Sequence, residues 1–252
     1  SKAHLLMPVH LFGQCAPMEE LLKLANDHGM LVVEDNAQAL GSVYTFSNQE
    51  KKFSGTMGNL GCTSFFPSKN LGAFGDGGAM FTNDEHLALK ARSIANHGQS
   101  VKYKHDEIGV NSRLDTLQAA ILNVKLKNLK DFNSRRQQVA AVYDSELGDF
   151  VVVPKRETYS SHVFHQYTVK LESNKTREAL KEHLNQKGIP SMVYYPIPLH
   201  LQPGYSFLGY SKGDFPVAEK LSETVLSLPI HTEMEEDQLS YIVEEIKTFF
   251  RS

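Results

Sequence analysis

An apolar run, an amphipathic helix and a second apolar run follow one another at the start of the chain, and that order restricts the fold more than any other feature. Residues 4–12 read as a strand, with the buried-type segment Leu5-Leu6-Met7-Pro8-Val9 at its heart. Residues 17–28 read as an amphipathic helix, with Pro17 in its first turn and Gly29 just past its end. Met30-Leu31-Val32-Val33 is a short apolar strand that runs into Glu34-Asp35. A strand–helix–strand unit closes through a right-handed crossover and leaves its strands parallel. Asp35 therefore falls at the carboxyl end of a strand, where open α/β sheets bind ligands.

The same reading carried along the chain gives further strands at 61–66 and 78–82, with Lys69 in the loop between them. Asn83 or Asp84 caps a helix running to about 97. After Asp115, the apolar positions Leu117, Ala120, Ile121, Val124, Leu126 and Leu129 predict one or two helices continuing to 147. Residues 148–161, polar and containing proline, read as a boundary. Beyond them lie a strand at 163–171, a helix at 175–186, a strand at 189–193 and helices at 216–225 and 235–250. The expected fold class is α/β: a large domain with a mostly parallel sheet and a linking helix at 1–147, and a small α+β domain at 148–252.

Composition narrows the function classes. The 252 residues are 41% hydrophobic and 22% charged, ordinary for a globular protein. A formal net charge of −3 with no Lys/Arg cluster gives no electrostatic case for nucleic acid. Cys15 and Cys62 stand in no metal or redox spacing and read as buried small residues. His97, His200 and His231 join no metal-ligand grouping either. No run approaches the roughly 18 apolar residues of a membrane span, and no signal peptide is visible, so a cytoplasmic setting fits best. The chain opens at Ser1 without a methionine and enters an apolar strand almost at once, as expected of a fragment of a longer protein.

The chemistry-bearing residues are few and ordered. Lys69 has a hydroxyl, Ser64, five positions before it and the glycines 72, 75, 77 and 78 after it. Upstream, Asp35 ends its strand and Gln38 follows three residues on. An amine for a Schiff base, an anion for a ring nitrogen and a donor for a phosphate are the parts that hold an aldehyde cofactor. Each residue also has a plain reading: a solvated lysine, a helix-capping aspartate, a satisfied strand serine, a polar helix glutamine. Their joint order favours the cofactor. Gly75 to Gly78 does not fit the dinucleotide fingerprint, which opens a helix with Gly-x-Gly-x-x-Gly.

Three separated segments carry a resemblance: Val33 to Gly41, Ser64 to Lys69, and Gly109 to Asp115. In that order they resemble the DegT/DnrJ/EryC1/StrS nucleotide-sugar aminotransferases, fold-type-I pyridoxal phosphate enzymes. Residues 62–78, 109–122 and 195–199 are most similar to enzymes that aminate the 3-keto group of a UDP-2-acetamido-2-deoxy-hexuronic acid. The resemblance implies that Lys69 is the Schiff-base lysine and acid/base, and that Asp35 pairs with the pyridine nitrogen. Gln38 contacts the cofactor near its ring, and Ser64 binds the phosphate. Asn111 reaches the partner subunit's phosphate, which implies a homodimer. Arg113 is a candidate for the substrate carboxylate, read equally as an ion-pair partner of Asp115. Tyr194 and Tyr195 lie where such enzymes contact the nucleotide-sugar, Tyr194 standing where the nearest relatives carry histidine. The implied amino donor is glutamate and the implied pathway that of cell-surface glycan precursors. Roughly a hundred further residues are expected before the point matching Ser1, with a Gly-Thr pair for the phosphate and a residue covering the ring. Two rivals remain: a sugar dehydratase of the same fold, which carries histidine in place of the lysine, and a cofactor-free binding or regulatory module.

Overall fold

The computed structural model describes residues 3–251. The chain divides into two compact units. One runs to Ser134 and takes in Arg156–His165; the other holds Arg135–Lys155 and the described residues from Gln166 onward. The division falls inside a long helix, whereas the sequence expectation set the boundary after that helix, at 147.

In the first unit the elements are β1 (Leu5–Leu6), α1 (Met18–Asp27), β2 (Leu31–Asp35), β3 (Val43–Thr45), β4 (Lys51–Phe53), β5 (Leu60–Ser64), β6 (Gly78–Phe81), α2 (Glu85–Ala95), β7 (Gln99–Val101), β8 (Lys104–His105) and α3 (Thr116–Leu126). The main sheet has the order β1-β2-β5-β6. β1, β2 and β5 are parallel, with Leu5 opposite Leu31 and Asp35 opposite Cys62. β6 returns antiparallel, with Ser64 opposite Gly78. The crossover helix α1 contributes Met18 and Ala25 to a core with Cys15, Val32 and Tyr44.

The expected strand at 4–12 is cut short. Pro8 has no N–H to give to a ladder, and only an isolated bridge, Val9 to Asp35, continues the pairing. The backbone then turns through a 3-10 segment, Leu11–Gly13, with Phe12 at φ 57° and Gly13 at φ 111°. A side chain on Gly13 would place its Cβ 2.8 Å from the backbone nitrogen of Phe164. Outward along β1, Leu5, Met7 and Val9 are exposed, while Pro8 and His10 are buried.

Glycines set the spacing between β2 and β5. A Cβ on Gly61 would fall 1.9 Å from the carbonyl oxygen of Gly55, and one on Gly58 2.8 Å from that of Val32. Asn59 clamps the same turn: its Oδ1 accepts the Val32 N–H at 2.7 Å, and its own N–H donates to the Val32 carbonyl at 2.9 Å.

The helical pattern after Asp115 resolves into α3 and α4 (Leu129–Leu147), parted at Lys127-Asn128. The second unit continues with β9 (Tyr167–Lys170), α5 (Asn174–Gln186), α6 (Pro216–Thr224), β10 (Val225–Leu228) and α7 (Glu236–Arg251). β9 and β10 pair antiparallel. Tyr143, Leu147, Tyr167, Leu180, Leu184, Leu226 and Ile246 are fully buried in this unit. The Tyr143 ring packs against that of Tyr167, centroids 4.8 Å apart and planes tilted by 41°, and its hydroxyl donates to the Pro229 carbonyl at 2.9 Å. Two expectations are corrected here. Residues 189–193 form no strand, only a bridge between Met192 and Ser227. The strand partner of β9 is instead β10, whose first residue the sequence pattern had assigned to the end of a helix.

Candidate functional site

Alternation along β2 sends Glu34 and Asp35 to opposite faces of the sheet. Glu34 is completely buried. Its carboxylate accepts the N–H groups of Gly55 at 2.8 Å, Gly58 at 2.6 Å and Met57, and it meets His10 Nε2 at 2.8 Å. Burial pushes its pKa up, but these hydrogen bonds outweigh burial and hold it below the ordinary 4.5. Asp35 is half-buried on the other face. Its N–H donates to the Pro8 carbonyl at 2.9 Å and its carbonyl accepts from the His10 N–H at 3.0 Å. Its Oδ1 accepts the Ala37 N–H at 3.0 Å.

Asp35, Cys62 and Ser64 share one face, by register and by the two-residue period of β5. The chain leaves β5 at Ser64 and turns tightly. The Lys69 N–H donates to the Phe66 carbonyl at 2.9 Å, and a Cβ on Gly72 would fall 2.3 Å from the Pro67 carbonyl oxygen. This turn carries Lys69 back to a half-buried place. Burial pushes the Lys69 ammonium below its ordinary 10.5, and the charge of Asp35 opposes that shift. Ser64 Oγ accepts the Phe66 N–H at 3.2 Å, and Gln38 Oε1 accepts the Phe12 N–H at 2.7 Å.

Asn111 and Arg113 are exposed, joined by an Arg113 Nε to Asn111 Oδ1 bond of 3.1 Å, and Asn111 bridges to Asn96. Among the described residues no ion pair joins Arg113 to Asp115, and no hydrogen bond joins this loop to Asp35, Ser64 or Lys69. Tyr194 and Tyr195 belong to the second unit, joined by a cis peptide, with ring centroids 5.5 Å apart. His10 and Glu34 escaped the sequence reading. The available signal was a histidine and a glutamate inside otherwise apolar strand patterns.

An amine of lowered proton affinity, a carboxylate and a strand-end hydroxyl form a donor set that fits pyridoxal phosphate: an amine for the aldehyde, an anion for the pyridine nitrogen, a hydroxyl for the phosphate. Among the described residues no group of three or more His, Cys, Asp or Glu could hold a metal ion, and no helix is long and apolar enough to cross a membrane.

Residues 1–247 match the DegT/DnrJ/EryC1/StrS aminotransferase family. The chain is 46% identical over 254 residues to a pleiotropic regulatory protein of Geobacillus stearothermophilus, covering 99% of this chain and 66% of that one. It is 44% identical to the UDP-2-acetamido-2-deoxy-3-oxo-D-glucuronate aminotransferase of Pseudomonas aeruginosa, over 90% of this chain and 60% of that one. Other relatives are named for dTDP- and GDP-linked sugars. The crystal structure of a DegT/DnrJ/EryC1/StrS aminotransferase from Brucella abortus superposes with a TM-score of 0.89 at 40% identity, covering 98% of this chain and 64% of that one. A Bacillus subtilis structure with bound cofactor PMP superposes at 0.86 and 28% identity, covering 98% of this chain and 57% of that one. This chain thus spans 60% to 66% of the length of the two sequence relatives first described. It belongs to the DegT/DnrJ/EryC1/StrS aminotransferase family, a family of pyridoxal-phosphate-dependent sugar aminotransferases.

Proposed function

We propose that this chain carries the catalytic lysine and the ring-nitrogen carboxylate of a pyridoxal-phosphate-dependent aminotransferase that moves an amino group from glutamate to a UDP-linked 3-keto sugar. The observation that carries the reading is the placing of Asp35 and Ser64 on one face of the β2–β5 pair, with Lys69 half-buried in the turn that leaves β5. The cofactor, when bound, supplies the electron sink that a protein side chain lacks. Lys69 holds the cofactor aldehyde through Nζ and afterwards carries the proton to and from the substrate carbon. Lowered proton affinity suits both tasks, because only the neutral amine is a nucleophile or a base. Asp35 holds the proton on the pyridine nitrogen. Ser64 already accepts the Phe66 N–H, so its own hydroxyl hydrogen is available for a phosphate oxygen. Gln38 would contact the cofactor near its ring.

Asn111, Arg113, Tyr194 and Tyr195 keep the roles the resemblance implies: Asn111 for the phosphate of the partner subunit in a homodimer, Arg113 for the substrate carboxylate, the tyrosines for the nucleotide-sugar. The similarity to the Pseudomonas aeruginosa enzyme supports a UDP-sugar and, with it, a cytoplasmic step in glycan precursor synthesis. A second reading is a non-catalytic or regulatory piece of the same family. It is favoured by the regulatory name of the 46%-identical relative.

The deciding experiment adds pyridoxal phosphate, follows the visible absorbance band, reduces with borohydride and maps the labelled peptide. The aminotransferase reading expects the label on Lys69, none in Lys69→Ala, and glutamate-dependent amination of a UDP-3-keto sugar. It also expects Asp35→Asn to lower that rate at least about a hundredfold, through loss of the electron sink. A label on Lys69 without turnover selects the second reading. Label spread over surface lysines defeats both.

A further inference from the structure

The buried pair behind Asp35 has a form that packing alone does not require. Ala16 N–H donates to His10 Nδ1 at 3.1 Å, so that nitrogen carries no hydrogen. The imidazole proton is therefore on Nε2, pointing at the Glu34 carboxylate 2.8 Å away. Both side chains are fully buried. One ring thus ties the start of α1, through Ala16, to the end of β2.

The backbone of the same residue is bonded to Asp35 itself, through the 3.0 Å bond from His10 N–H to the Asp35 carbonyl. Two residues on, Phe12 donates its N–H to Gln38 Oε1 from a left-handed conformation. The 8–13 segment therefore grips both residues expected to touch the cofactor ring. Glu34 anchors the opposite side by accepting three amides of the 55–58 turn, the turn that packs against Gly61 of β5.

We propose that His10 is a positioning residue for the cofactor site, orienting Asp35 and Gln38 through its Nε2–H bond to Glu34 and its backbone bond to Asp35. This inference rests on the pyridoxal phosphate reading. An imidazole does two jobs here that an amide can divide. Glutamine can offer an N–H where Nε2–H stands; asparagine can offer an acceptor where Nδ1 stands.

The test titrates the chain with pyridoxal phosphate and reads the dissociation constant from the bound-cofactor absorbance, with thermal melting in parallel. His10→Leu and His10→Asn are expected to weaken binding about tenfold or more, the scale at which supporting residues act on a bound group, while His10→Gln stays close to the parent. In a double-mutant cycle, His10→Leu and Asp35→Asn are expected to be less than additive, because the first acts through the second. A purely structural His10 gives lower melting temperatures with unchanged affinity, or an additive cycle, and either result overturns the proposal. If His10→Leu does not fold, the Asn and Gln variants decide: equal affinities overturn it. A bound-cofactor band that is absent from the unsubstituted chain defeats the cofactor reading and this inference together. A band that the His10 variants leave unchanged defeats the inference alone.

Discussion

Lys69 works against the stability of the chain that carries it. Its folded pKa lies below the ordinary 10.5, chiefly through burial, so the unfolded chain binds more protons between the two values. The charged amine is fully destabilising below the folded pKa, and the cost disappears as pH rises past the unfolded one. Lys69→Met is therefore expected to melt higher than the parent at pH 7, without cofactor, with the gap closing toward pH 10.5 and above. Equal melting curves across that range would remove the premise. Glu34 has the opposite sign. Its folded pKa is depressed, so its contribution is complete above 4.5 and lost as pH falls through the folded value. Glu34→Gln is expected to destabilise the chain at pH 7 and to flatten its acid unfolding between pH 4.5 and lower values, read by circular dichroism. Lys69 and Asp35 drew attention in the sequence because their order along the chain mirrors the parts of a cofactor site. His10 and Glu34 did not, because a polar residue inside an apolar strand pattern shows no partner until folding brings one beside it.

At the scale of elements, β2 and β5 depend on a missing side chain. Gly61 sits opposite Glu34 in the ladder and against the Gly55 carbonyl. Gly61→Ala forces that backbone apart, and a loss of about 3 kcal/mol in chemical denaturation is expected, at the upper end of overpacking costs. Because Glu34 binds the amide of Gly55 from the neighbouring strand β2, the substitution should also loosen the end of β2 and weaken cofactor binding. An isostructural, equally stable variant would show that the turn yields. The strand–helix–strand unit was readable from hydrophobic pattern and breakers. β10 was not: Val225 follows α6 directly, with no proline or glycine to mark the change, and all four of its residues are buried. Such a run gives no period of two. The segment at 189–193 failed the other way. Its composition suits a strand, yet pairing there amounts to one bridge, Met192 to Ser227. The β3–β4 and β7–β8 pairs have strands of only two or three residues, and β4, β7 and β8 hold lysine, glutamine and serine, too little for a period of two to register.

For the whole molecule, family membership was visible in three motifs and a two-part division was expected, but the place of the cut was not legible. The cut falls inside α4, where the helical pattern runs on without a break, and residues 156–165 rejoin the first unit through long-range bonds. Ser161 donates its N–H to the Val43 carbonyl at 3.0 Å, and the Val163 N–H reaches the Gly13 carbonyl at 2.9 Å. Such bonds join positions far apart in the chain, and no local signal encodes them.

The outer side of β1 has a colloidal consequence. Among the described residues β1 ends its sheet, and Leu5 on it and Met7 and Val9 just past it lie exposed. A strand edge with apolar side chains templates another strand. In a concentrated solution of this chain, light scattering should therefore grow from a nucleation lag whose length shortens steeply with protein concentration. Storage life would then be set by that one row of backbone amides and carbonyls, whatever the melting temperature of the fold behind it.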